Sequence, residues 1–171
     1  MRKTASAFLI ISALLLSACG FQLRGTFSGK LPYERLYIDL PESSDVGISL
    51  RRQIAALGDT RLAKNKENAT AIFQQITDRR EKTILSLNTS GQVREFRLQT
   101  TYSFRIVDPK GRELVPASDI VLMRDITFND NVILAKDQEE ALLWRDINFD
   151  LVSQIMRRLS IVKPKTPGNE D

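Results

Sequence analysis

The stretch QVREFRLQTTYSFRIVD, residues 92–108, most narrows what this chain can fold into. Phe96, Leu98, Thr100, Tyr102, Phe104 and Ile106 fall on one side of a period-two repeat. Glu95, Arg97, Gln99, Thr101, Ser103 and Arg105 fall on the other. Side chains of a strand point alternately to its two faces, so the pattern encodes a long strand with one covered and one wet face. Such a strand suits an antiparallel sheet.

The flanking segments extend the same reading. Residues 70–88, TAIFQQITDRREKTILSLN, predict one long strand, or two separated near Asp78-Arg79-Arg80. The TSG triplet at 89–91 supplies a turn before residue 92. Asp108-Pro109-Lys110-Gly111 places proline and glycine as a type I turn prefers. Residues 118–130 predict a further strand, with Ile120, Leu122, Ile126 and Phe128 on one face. Residues 33–41 predict an early strand, in which Leu36, Ile38 and Leu40 alternate with Arg35, Tyr37 and Asp39 before Pro41.

Two segments carry the helical period instead. In residues 43–59, Val46, Leu50, Ile54 and Leu57 make one face, behind cap candidates Ser43, Ser44 and Asp45 and ahead of Gly58. Arg51 and Arg52 lie off that stripe, on the solvated side. In residues 134–162, Trp144, Ile147, Leu151, Ile155 and Leu159 form a strip, and Leu142, Phe149, Val152 and Met156 form a second beside it. So wide an apolar arc implies deep packing on the sheet, or a part left over for a partner protein, which makes Phe149 a partner-contact candidate. The acids of DQEE, residues 137–140, are expected in the first turn of this helix. Together the segments predict an α+β chain, packed as a two-layer sandwich of helices on a mostly antiparallel sheet.

The amino terminus belongs to a different class of sequence. Met1-Arg2-Lys3 is followed by a run, Ala5 to Leu16, that is apolar except for Ser6 and Ser12. It is too short for a bilayer core, which needs about 20 apolar residues, and it fits a signal peptide. Leu16-Ser17-Ala18-Cys19 resembles the bacterial lipobox. The resemblance implies cleavage before Cys19 and acylation of its thiol and new amine, giving an anchor of several chains. Gly20, where aspartate would favour retention in the inner membrane, implies the outer membrane. The expected layout is a signal peptide at 1–18, a lipidated linker at 19–32, one domain at 33–162 and a disordered polar tail at 163–171.

Residue chemistry narrows the function. The 171 residues include one cysteine and no histidine. Intramolecular disulfides are therefore excluded, and so are Ser-His-Asp and Cys-His catalysis and the usual zinc sites. Ser86, Ser90 and Ser103 have no imidazole to activate them, and Gly91 and Gly111 belong to turns rather than a phosphate loop. Asp125 and Asp130 bracket a strand end and read as solvated rather than cation-binding. No enzyme activity, cofactor or metal is expected. Of the net charge of +4, half comes from Arg2 and Lys3 in the leader. Arg94, Phe96, Arg97, Tyr102, Phe104 and Arg105 interleave basic and aromatic residues. In a lipidated protein this favours anionic lipid over nucleic acid, since guanidinium groups bind lipid phosphates through charge-assisted hydrogen bonds; the alternative is a plain solvated basic face of the sheet.

Cys19-Gly20-Phe21 with Leu23-Arg24, the Gly91-Gln92 turn before an aromatic-rich strand, and Leu134-Ala135-Lys136-Asp137 opening the last helix occur in a telling order. In these features the chain resembles the LPS-assembly lipoprotein LptE family. The resemblance implies two helices against one face of a four-stranded sheet. It implies a β-barrel partner, LptD, whose lumen the lipoprotein plugs from the periplasmic side of the outer membrane. It further implies binding and transport of lipopolysaccharide to the outer leaflet and help in barrel assembly. Lys136 becomes the first candidate for a lipid A phosphate. Thr89 and Ser90 stand where the family has a basic residue before Gly-Gln, so Arg94, with Arg97 nearby, is the candidate substitute. Gly91 and Gln92 join Phe149 as partner-contact candidates. The alternative is a periplasm-facing lipoprotein that binds another ligand or protein.

Overall fold

The computed structural model describes residues 31–58, 61–127 and 133–161, and the side chains of these except at 61 and 133–135. The expectations for residues 1–18, for Cys19 and for residues 163–171 lie outside the described residues.

The chain runs β1 (Arg35–Asp39), α1 (Asp45–Leu57), β2 (Arg61–Leu62), β3 (Ala71–Leu87), β4 (Val93–Val107), β5 (Glu113–Thr127) and α2 (Ile133–Ile161). The strands form one sheet in the order β2-β1-β3-β4-β5. Strands β3, β4 and β5 are antiparallel, while β1 runs parallel to β3. The expected α+β sandwich of two helices on a four-stranded sheet is found, with two-residue β2 added in parallel beside β1.

Both hairpins are built alike. Asn88 N–H donates to the Gln92 carbonyl (2.8 Å) and Asp108 N–H to that of Arg112 (2.9 Å). In each, the side-chain oxygen of the first residue accepts from backbone amides two and four residues on. Gly91 and Gly111, at φ 80° and 82°, close the turns in the left-handed region. Their ideal Cβ positions meet nothing within 4 Å, so it is conformation and not crowding that calls for glycine.

Strand β3 is one strand, and the two-strand option falls away. It contains a bulge between Gln75 and Thr77. Before it, Phe73 pairs with Ile106 and Gln75 with Phe104; after it, Asp78 pairs with Tyr102, Arg80 with Thr100 and Lys82 with Leu98. The extra residue switches which alternate residues face the helices, from odd-numbered to even. Strand β5 starts at Glu113, earlier than residue 118. A break in register between Phe104 and Ile106 lets Pro116 sit in a bulge of this edge strand, where its missing N–H costs no ladder bond.

One apolar core fills the space between sheet and helices. Leu98, Tyr102, Phe104 and Ile106 of β4 meet Leu50 and Ile54 of α1 and Ile147, Leu151 and Ile155 of α2. Phe73 and Phe104 stack with ring centroids 5.1 Å apart. Leu31 is also buried in this core. A small second cluster, Ala69, Ile72 and Val107 with Tyr37 and Ala63, forms beyond it.

Helix α1 starts where Ser44 Oγ accepts from the Gly47 amide (3.1 Å). Arg51 departs from expectation: it is half-buried, and its Nη2 donates to the Leu40 carbonyl (2.6 Å) and that of Ile38 (3.4 Å). Carbonyls at the end of β1 require donors, and the guanidinium supplies them from the helix. Gly47 makes the approach possible, because a Cβ there would lie 3.0 Å from Arg51 Nη1 and 3.2 Å from Leu40 Cβ.

Helix α2 resolves the two apolar strips. Ile147, Leu151, Val152, Ile155, Met156 and Leu159 are buried, whereas Leu142 and Phe149 are each 54% exposed. The DQEE acids do not lie in the first turn, since the helix begins at Ile133 and its first turn holds no acid. Instead, Glu140 accepts from Lys82 of β3 (2.5 Å) and from Trp144 Nε1 (3.3 Å).

Candidate functional site

The far end of the β3–β4 hairpin gathers several of the residues singled out from sequence. Lys136, in the first turn of α2, donates to Glu139 Oε2 (2.6 Å) and to Thr127 Oγ1 at the end of β5 (3.4 Å). Thr127 pairs in register with Glu95, the residue after Arg94. Sheet register thus brings Arg94 and Lys136 to one end of the molecule, although they are far apart in sequence. Arg94 is exposed and has no ion pair among the described residues. Lys136 is different: its side chain is only 17% exposed and is held by Glu139. The apolar side chains of Ile84, Leu85 and Leu87 stand exposed at the same end. Basic groups beside apolar surface can hold an anionic head group and its chain together.

Arg97 is part of a different surface. On the face away from the helices it meets Asp125 directly across β4–β5, with Nε–Oδ1 at 2.8 Å and Nη2–Oδ2 at 3.0 Å. The guanidinium holds the Asp125 carboxyl below its ordinary range, and Asp125 holds the guanidinium above its own. Neighbouring partners continue this pattern: Ser103 with Asp119 (2.5 Å), and Arg105 with Gln74 (3.1 Å) and Glu113 (3.4 Å). The result is a polar sheet face of mixed charge, interrupted by exposed Val121 and Met123.

Gly91 and Gln92 are both exposed at the hairpin tip, where Gln92 Oε1 accepts from Asn88 Nδ2 (3.0 Å). Their evident role is to close the turn. Phe149 lies elsewhere, on a cleft between α1, α2 and β3. There it joins Arg52, Arg80 and Arg145, a grouping sequence reading missed. No local signal announces it, because the three arginines come from three elements and only the β3 bulge turns Arg80 that way.

A polar sheet face and a basic end with apolar neighbours give the domain the character of a binding module. Comparison with known proteins gives this module a family. Residues 33–159 match the family described as LptE, lipopolysaccharide-assembly. The chain belongs to this family of LPS-assembly lipoproteins, which is not a family of enzymes. It is 26% identical over 167 residues to the LPS-assembly lipoprotein LptE of Photorhabdus laumondii, covering 95% of this chain and 88% of the relative. It is 23% identical over 152 residues to that of Pectobacterium atrosepticum, covering 87% and 80%. Among solved structures, it resembles lipoprotein B of Nitrosomonas europaea at 40% identity and a TM-score of 0.70, covering 82% of this chain and 90% of the other. The fold is also that of the rare lipoprotein B of Shewanella oneidensis, at 23% identity and a TM-score of 0.62, covering 73% and 92%.

Proposed function

We propose that this protein is an outer-membrane lipoprotein, anchored through Cys19 after loss of residues 1–18, that plugs an LptD-type β-barrel and binds lipopolysaccharide during its insertion into the outer leaflet. Membership of the lipopolysaccharide-assembly family over residues 33–159 carries the reading. The polar face of β3, β4 and β5 supports the plug role. A large barrel has a polar lumen, and a surface already knit by cross-strand pairs such as Arg97–Asp125 enters it without stranding charge. No helix among the described residues is long and apolar enough to cross a membrane, which says nothing of β-barrels.

Lipopolysaccharide is assigned to the end of the sheet, with Arg94 as the open contact and Lys136 as the contact held by Glu139. Arg97 acts in the plug surface, since its Nε–Nη2 edge is taken by Asp125. The test measures lipopolysaccharide binding to purified protein. Arg94→Asp and Lys136→Asp are each expected to weaken it about ten-fold or more, and Glu139→Gln to strengthen it by freeing Lys136. Unchanged affinity in both charge reversals would refute the assignment. For the plug, Cys19→Ser protein isolated under native conditions should bring a large barrel with it. Its absence would favour a lipoprotein serving another ligand or partner.

A further inference from the structure

We infer that the cleft between α1, α2 and β3 is a second, separate site, which binds an anionic amphiphile with a phosphate monoester head and a single apolar chain. The cavity is about 740 Å³, within the usual range of small-molecule sites. Arg52 of α1, Arg80 of β3 and Arg145 of α2 line it, and none of them has an ion pair among the described residues. Folding brings these guanidinium groups from three elements to one lining, where an added anion is favoured. Asp45 and Asp146 also line the cleft, so the lining keeps a positive surplus without being uniformly basic. Guanidinium forks match phosphate oxygens bidentately and, unlike ammonium groups, are weakly hydrated enough to lie against apolar surface.

One further observation defines the rest of the ligand. Apolar surface flanks the arginines: Ile48 is 40% exposed and Phe149 54% exposed. Leu142, also 54% exposed, lies two helical turns before Phe149 on the same side of α2. A chain leaving the head group finds this strip next to it. Free phosphate would leave the strip uncovered, and an acidic peptide would not need it.

Trp144 lines the cleft and is the only tryptophan in the chain, so its fluorescence reports on this site. The full chain in neutral detergent is titrated with lysophosphatidic acid, inorganic phosphate and an acidic peptide. Lysophosphatidic acid should give a saturable Trp144 change. Its affinity should fall ten-fold or more in Arg80→Gln/Arg145→Gln and fall measurably in Phe149→Ser, at unchanged melting temperature. Lys136→Asp should leave it intact. An equal response to inorganic phosphate alone would overturn the proposal in favour of a simple anion site. A tighter response to the peptide would make the cleft a protein groove. No response, or no loss in the double arginine variant, would also overturn it. The lipopolysaccharide assignment stands or falls on Arg94 and Lys136, so the two can fail independently.

Discussion

Replacing Tyr102 by phenylalanine should stabilise this protein. Tyr102 is wholly buried in the core, and its hydroxyl has no hydrogen-bond partner among the described residues. Burial, and then the nearby Asp78 charge, hold its phenol well above the ordinary tyrosine range. An unsatisfied buried polar group costs about 1–3 kcal/mol. Phenylalanine keeps the ring that packs beside Ile120 and removes only the oxygen, so cavity cost is small. A gain of about 1–2 kcal/mol follows, read as a higher urea midpoint at constant slope, or a melting temperature raised by about 3–8 °C. High pH provides a second readout. Above about pH 10 the unfolded chain loses its tyrosine protons while folded Tyr102 keeps its own. The unfolded state then binds fewer protons, so stability falls as pH rises. Tyr33, pushed up to about 12 by burial, adds a loss of the same sign. In Tyr102→Phe only the Tyr33 share of this alkaline loss should remain. Destabilisation by about 1 kcal/mol or more at neutral pH would refute the reasoning, by revealing that the hydroxyl is satisfied.

Other substitutions probe the remaining parts. Arg51→Ala strips the Leu40 and Ile38 carbonyls of their charged donor and should cost about 1.5–3 kcal/mol in urea unfolding. Gly91→Ala and Gly111→Ala each force a side chain into the left-handed region and should cost about 1 kcal/mol, measured the same way. Leu151→Ala opens a void where α2 meets the sheet and should cost about 2–5 kcal/mol in thermal or urea unfolding. By NMR titration, Asp125 should ionise below the ordinary aspartate range and return towards it in Arg97→Ala. Because its folded pKa is depressed, any stabilisation it contributes is present at neutral pH and is lost as pH falls through that value.

Much of the fold could be read locally because strands and helices write their periods into nearby residues. The β4 alternation predicted burial of Leu98, Thr100, Tyr102, Phe104 and Ile106, although Ser103 of the opposite face is buried too, and the spacing of Val46, Leu50 and Ile54 located the inner face of α1. The turn at Asp108 was equally plain, since proline, glycine and an aspartate cap act within five residues. The start of β5 was not. Proline at 116 reads as a strand breaker until the sheet edge and its bulge excuse it. Nor did Arg51 declare itself, since its partners are carbonyls of another element.

The candidate site divides along the same line. That Arg94, Lys136 and Phe149 are worth testing followed from residue type and from resemblance to a family. That Arg94 is open, Lys136 is held by Glu139 and Arg97 is spent on Asp125 followed only from register and packing. The inter-helix cleft is the strongest case. One extra residue at the β3 bulge switches which charges face the helices, and helix packing then brings Arg52 and Arg145 to Arg80. By itself the sequence determined the two helices and the four longer strands in outline, the inner faces of β4 and α1, the two turns and the lipobox-like motif ahead of them, all set by near neighbours along the chain. Tertiary structure alone decided which charges are paired and which remain available to a ligand, because that depends on distances between residues the chain brings together only when it folds.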